Sequence, residues 1–195
     1  MADLISTATY KTMTGITSTN QDTRIAQLIV SVSQLVKTYC NNTFVDFVSS
    51  AKTEIFNVDY NEHFVQLTET PLIAVTSVSE RESPTATYNT LSNNSEYYVD
   101  SVTDTIFRVD GSGNGKQYES GKGAVKVVYT AGYTSLPQDL ELAVMDLITY
   151  YLKDERKQRR TIAGASLNNQ VSTGQRDNVG FPDHIKRVLD LYKNF

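Results

Sequence analysis

The apolar positions of this chain change period twice, and the changes predict its architecture. Between Asp22 and Cys40 they fall at Ile25, Leu28, Ile29, Val32, Leu35, Val36, Tyr39 and Cys40, steps of three and four that give a helix one broad apolar face. Thr19 or Asn20 is placed to cap that helix, Asp22 suits the positive end of its dipole, and Asn41 with Asn42 ends it. From about Thr53 to Tyr129 the period falls to two. The alternation predicts strands at Thr53–Val58, Phe64–Leu67, Ile73–Arg81, Tyr97–Asp100, Thr105–Asp110 and Ala124–Tyr129. Turn-forming runs separate them: Tyr60–Glu62, Glu82–Pro84, Ser92–Ser95 and Asp110–Gly115.

Helical spacing returns behind Pro137, whose fixed φ suits a helix start. Leu140, Ala143, Val144, Leu147, Ile148, Tyr151 and Leu152 form the stripe, with Asp139 and Glu141 in the first turns. This helix is expected to run on into the basic stretch ending at Arg160. A shorter helix is predicted at Leu4–Met13 with Gly15 as terminator. A last one follows Pro182, with Ile185, Val188, Leu189 and Tyr192 on one side, a face that suits either packing on its own domain or docking on another subunit behind a long polar connector. The reading is an α+β chain: a helical core of two long helices plus short N- and C-terminal ones, with an inserted antiparallel β subdomain. Its expected parts are a helical segment over 1–52, the β subdomain over 53–130, the second long core helix over 131–160, and a connector with a C-terminal docking arm over 161–195.

Composition narrows the function classes. With 18 Lys and Arg against 22 Asp and Glu, the chain is not the basic protein expected of a dedicated nucleic-acid binder. At 195 residues it can bury a core without metal or disulfide staples, and Cys40 is its one cysteine, so no internal disulfide is expected. No run of about 18 apolar residues occurs, so no membrane span is expected. The start of the chain lacks a basic region followed by an apolar run, so no signal peptide is read there.

The candidate chemistry is sparse. Gly111, Gly113 and Gly115 precede Lys116, but Asp110 stands where a phosphate loop needs its first glycine and Gln117 where it needs Ser or Thr. A hairpin loop is the better reading. His63 and His184 belong to no spaced ligand set, so no metal site is expected. Cys40 lies on a buried stripe, where it reads as a small apolar residue. No catalytic residue, cofactor or enzymatic activity is read from the sequence. The basic run Lys153, Arg156, Lys157, Arg159 and Arg160 suits the negative end of a helix dipole, and alternatively an acidic partner or DNA phosphates.

Three blocks in order carry a resemblance: Leu4–Phe44, then Val127–Leu152 with its strand, Gly-Tyr turn and Pro-led helix, then Phe181–Phe195. In this order the chain resembles the head–tail connector (adaptor) proteins of tailed bacteriophages, typified by the phage HK97 connector. The resemblance implies a virion structural protein: a homo-oligomeric ring, most often a dodecamer, assembled in the host cytoplasm and bound below the portal protein at the capsid vertex. Such a ring would extend the channel for genomic DNA without binding it specifically, and would receive a stopper or tail-completion protein. The resemblance also implies portal docking by the last segment, through Phe181, Ile185, Val188, Leu189, Tyr192 and Phe195. Gly132, Tyr133 and Pro137 are expected to set the geometry of the strand–turn–helix brace. A tail-completion or stopper protein of the same neck is the alternative, and a DNA-binding module using 153–160 is a third reading from another class.

Overall fold

The structure is a computed structural model and describes residues 2–153 and 181–194. It divides into two compact units, one made of Met1–Asn42 with Leu136–Phe195, the other of Thr43–Ser135. The fold is α+β, as the periodicity predicts.

The first unit is helical: α1 (Thr7–Thr14), α2 (Asp22–Cys40), α3 (Gln138–Leu152) and α4 (Asp183–Leu191). α2 packs on α1, α3 and α4, and α3 also packs on α4. The stripe read from the sequence is the buried one, with Ile25, Ile29, Val32, Val36 and Cys40 of α2 and Leu140, Val144, Leu147 and Ile148 of α3 all out of solvent. Burying one such aliphatic side chain contributes about 1.5–3 kcal/mol, so the stripe outweighs any single cap. The caps differ from expectation. Gln21, not Thr19 or Asn20, holds the N-cap of α2 and makes no side-chain cap bond, while Asp22 pairs with Lys11 at 2.7 Å. The side-chain cap sits on α1 instead, where Ser6 Oγ accepts the Thr9 N–H at 3.0 Å. Gly15 and Asn41 close α1 and α2 in the left-handed conformation that a C-cap favours.

The second unit is all β among its named elements: β1 (Lys52–Val58), β2 (Phe64–Gln66), β3 (Leu72–Glu80), β4 (Asn89–Thr90), β5 (Tyr97–Asp100), β6 (Thr105–Arg108) and β7 (Gly121–Ala131). They form two antiparallel sheets, a four-stranded one ordered β1-β7-β3-β4 and a three-stranded one ordered β2-β6-β5. β7 pairs with β1 along one edge and β3 along the other, so its Val125, Val127 and Tyr129 are buried in the middle of the core. From the small sheet, Val65, Ile106 and Tyr97 enter the same core.

One polar side chain links the two sheets. Arg108 of β6 is 2 % exposed. Its Nη2 and Nε donate to the Glu80 carboxylate of β3 at 2.8 and 3.2 Å, and its Nη1 donates to the Glu96 and Val109 carbonyls at 2.6 and 2.9 Å. A guanidinium can be buried here because nearly every donor has an acceptor. A second charged knot lies under β1: Lys52 pairs with Glu54 at 2.6 Å and Glu69 at 3.1 Å, and Glu69 also accepts from the Thr43 N–H and hydroxyl.

Candidate assembly surfaces

The strand-to-helix junction read as a geometry-setting brace is tightly specified on its β side. Gly132 has φ +112°, and a Cβ there would overlap the Phe44 carbonyl oxygen. Its N–H donates to the Pro71 carbonyl at 2.8 Å, and the Tyr133 N–H donates to the Phe44 carbonyl at 2.6 Å. The Tyr133 and Phe44 rings stack at 6.5 Å. Only glycine combines this φ with so close a backbone approach. Pro137 sits at the N-cap of α3 with φ −54°, the value its ring imposes.

The C-terminal residues read as docking anchors do other work here. Phe181, Ile185 and Leu189 are buried, and Phe181 meets the Tyr39 ring edge-on at 5.1 Å. Val188 and Tyr192 are half-buried, and the Tyr192 hydroxyl donates to Asp139 at 2.7 Å. α4 is therefore fastened to its own unit by its apolar face, further held by Tyr39 donating to Asp190 and the Asn194 N–H donating to the Cys40 carbonyl at 2.8 Å. In this arrangement the buried three are not open to a partner; the solvent side of α4 is. Phe195 lies outside the described residues, as do Arg156, Lys157, Arg159 and Arg160, and the expected continuation of α3 past Lys153.

The remaining candidates carry no catalytic chemistry. Cys40 is buried, and burial pushes its thiol up to about 12, far from a thiolate at neutral pH. Asp110 organises the glycine-rich loop as a hairpin: its carboxylate accepts from the Ser112 and Asn114 N–H groups, both at 2.9 Å. Those hydrogen bonds, with the Asn114 backbone first among them, hold its carboxyl below the usual range. His63 and His184 are exposed, and no group of three or more His, Cys, Asp or Glu is placed to hold a metal among the described residues.

The surface that sequence reading missed is on the three-stranded sheet. Phe64, Phe107 and Tyr98 stand in one cross-strand row, since Phe64 pairs with Phe107 and Phe107 with Tyr98. The row faces away from the core that Val65 and Ile106 enter; Phe64 is 43 % and Tyr98 53 % exposed. Beside it opens a groove of about 380 Å³ lined by His63, Asn94, Tyr98, Phe107, Val109 and Gly113, among others. The alternation of β2, β5 and β6 held the signal: an aromatic on the side opposite the core residues in each of three strands. Without knowing that the three strands are neighbours, the row is invisible.

Comparison with known proteins corrects the family resemblance. The family model for head completion proteins matches residues 3–195. A head completion protein of Escherichia phage T5 is 33 % identical over 75 residues, which is 37 % of this chain and 40 % of that relative's length. The fold is shared with chains from the virion of a native gene transfer agent (TM-score 0.60, 12 % identity, covering 98 % of this chain and 90 % of that one) and from the neck of the empty particle (TM-score 0.59, 13 % identity, with the same coverage). At such identities the likeness speaks for the fold alone. The HK97-type connector identification fails because its three blocks are packing patterns, not chemical signatures. A strand, a tight turn and a Pro-led helix do not separate one neck protein from another. The adaptor reading falls with it, and the whole-chain match favours the alternative of a completion protein. The chain belongs to the head completion protein family.

Proposed function

We propose that this chain completes the head of a tailed phage or phage-like particle, as a ring of copies in the neck at the capsid vertex to which the tail side joins. The observation that carries this is the family match over nearly the whole chain, helices and β unit together. Two further features support it. The fold recurs in a neck reconstructed with C12 symmetry, where the similar chain covers all of this one at a TM-score of 0.58 and 12 % identity. The chain also offers apolar surface on each of its units, Leu191 and Met13 on the helical one and Tyr98 and Phe64 on the β one. A closed ring needs two different faces of each subunit, one binding the other on the next copy.

The test is depletion and add-back. Cells producing the particle without this chain should accumulate heads and free tails that do not join. Purified chain preincubated with those heads should restore joining, and preincubation with tails followed by removal of unbound protein should not. Normal particles without the chain, or restoration only through the tails, would overturn the assignment.

A further inference from the structure

The aromatic row on the small sheet lacks a partner within its unit, and its surroundings define what would fit it. By strand alternation Asp100 lies two residues after Tyr98 in β5, on the row's side of the sheet. Asp110 organises the hairpin whose Gly113 and Gly115 line the groove. The Ser92 backbone N–H holds the Glu96 carboxyl below the usual range, and the Val102 N–H with the Thr103 hydroxyl does the same for Asp100. Arg108 pairs with Glu80 at 2.8 Å and with Glu96 at 3.9 Å, so Glu96 is already engaged and Asp100 carries the border, with Lys116 on the loop. The face is thus an apolar aromatic strip with an acidic border, unsuited to nucleic-acid phosphates.

The opposite chemistry stands on the outer side of α4. His184, Arg187 and Leu191 follow at i, i+3 and i+7, one stripe of the helix, and all three are exposed, Leu191 by 77 %. Arg187 has no ion pair among the described residues, whereas Asp190 on the same helix is engaged by Tyr39. The inner side of α4 is held by Ile185 and Leu189, so the stripe is presented on an anchored helix.

We infer that the outer stripe of α4 in one copy docks on the aromatic row of the three-stranded sheet in the next, with Leu191 entering the groove beside Tyr98 and Phe107 and Arg187 meeting the acidic border at Asp100. The contact is heterologous, because the two faces belong to different units of the chain, and it therefore propagates around a ring. It rests on the ring reading proposed above and names the surfaces that make it. The apolar centre supplies affinity, and the charged rim sets register and on-rate.

Paired cysteines test this directly, since Cys40 is buried. The variants Leu191→Cys and Tyr98→Cys, singly and together, are placed in full-length chain, and oxidation is read on purified protein and on particles that have incorporated it. The double variant should give a ladder of dimer, trimer and higher species, and each single variant none beyond dimer. Asp100→Lys and Arg187→Glu, each added to the double-cysteine chain, should slow the ladder by about tenfold, and the two together should restore it. Particles that contain the double variant but give no ladder would overturn the inference while leaving the neck assignment standing. So would dimers alone, which mean a symmetric contact, or a cross-link to a different virion protein. Failure of the chain to enter particles at all, with wild-type chain also absent from them, would instead sink the neck assignment.

Discussion

Replacing Arg108 with Met should destabilise the β unit by about 4 kcal/mol. The estimate comes from what the guanidinium leaves behind. Glu80 loses both of its charged donors in a site where the arginine side chain is 3 % and the glutamate 12 % exposed. Breaking such a buried pair costs about 3–5 kcal/mol, because the remaining charge must be buried alone or protonated. The Glu96 and Val109 carbonyls lose their Nη1 donor as well, a further penalty that overlaps the first and does not simply add. Met restores some apolar packing, which keeps the figure in the middle of the range. Against a total stability of about 5–15 kcal/mol this loss is large. Urea unfolding followed by circular dichroism should show the midpoint falling with an unchanged slope. The sharper expectation concerns the double replacement. Arg108→Met with Glu80→Leu removes both charges, so it should recover most of the lost stability. A single replacement costing less than about 1 kcal/mol would refute the reasoning, as would a double as unstable as the single. Since Arg108 follows Phe107 in β6, the single variant should also weaken any contact made by the aromatic row.

Other expectations follow from the same structure. Gly132→Ala combines a positive φ with overlap onto the Phe44 carbonyl, so it should cost at least about 2 kcal/mol in urea unfolding; a loss below half that would contradict the geometry. Ser6→Ala removes the one side-chain cap seen on α1 and should cost about 1 kcal/mol, with Ser6→Asp retaining most of it. Burial raises the Glu54 carboxyl, but hydrogen bonds from Lys52 and Thr68 outweigh it and hold the group below its ordinary 4.5. Its folded value being the lower, the unfolded chain binds the extra proton. The stabilisation is therefore present above pH 4.5 and lost as pH falls through the folded value, and Glu54→Gln should flatten that part of a stability–pH curve. The Cys40 thiol should react with a thiol reagent at pH 8 only after unfolding, and fast labelling of native protein would contradict its burial.

Local patterns were legible in the sequence where one face is buried and one is not. The α2 and α3 stripes, the Gly15 and Asn41 terminators and the Pro-led starts of α3 and α4 rest on periodicity and backbone preference, and the structure has them in those places. Period two locates six of the seven strands among the described residues, while β4, only Asn89 and Thr90, is too short to have a period. What was not legible is everything set by long-range pairing. Nothing local assigns β1, β7, β3 and β4 to one sheet and β2, β6 and β5 to another. The Arg108–Glu80 link and the aromatic row both depend on that division. The closing helix shows the same limit: Ile185 and Leu189 were legible as an apolar face, but only the fold shows that α2 and α3 cover it and that Leu191 points away. The family shows the same limit, since a strand, a tight turn and a Pro-led helix are packing patterns that do not separate one neck protein from another.

A chain that completes the head as a ring in the neck is visible there in the assembled particle. Cryo-electron microscopy of particles, with the neck reconstructed under cyclic symmetry, tests this most directly. The expected result is a closed ring at the capsid vertex into which the helical and β units of this chain fit, α4 of each copy lying on the three-stranded sheet of the next. Particles that contain the chain elsewhere, or a complete neck in which no ring accepts its fold, would contradict it.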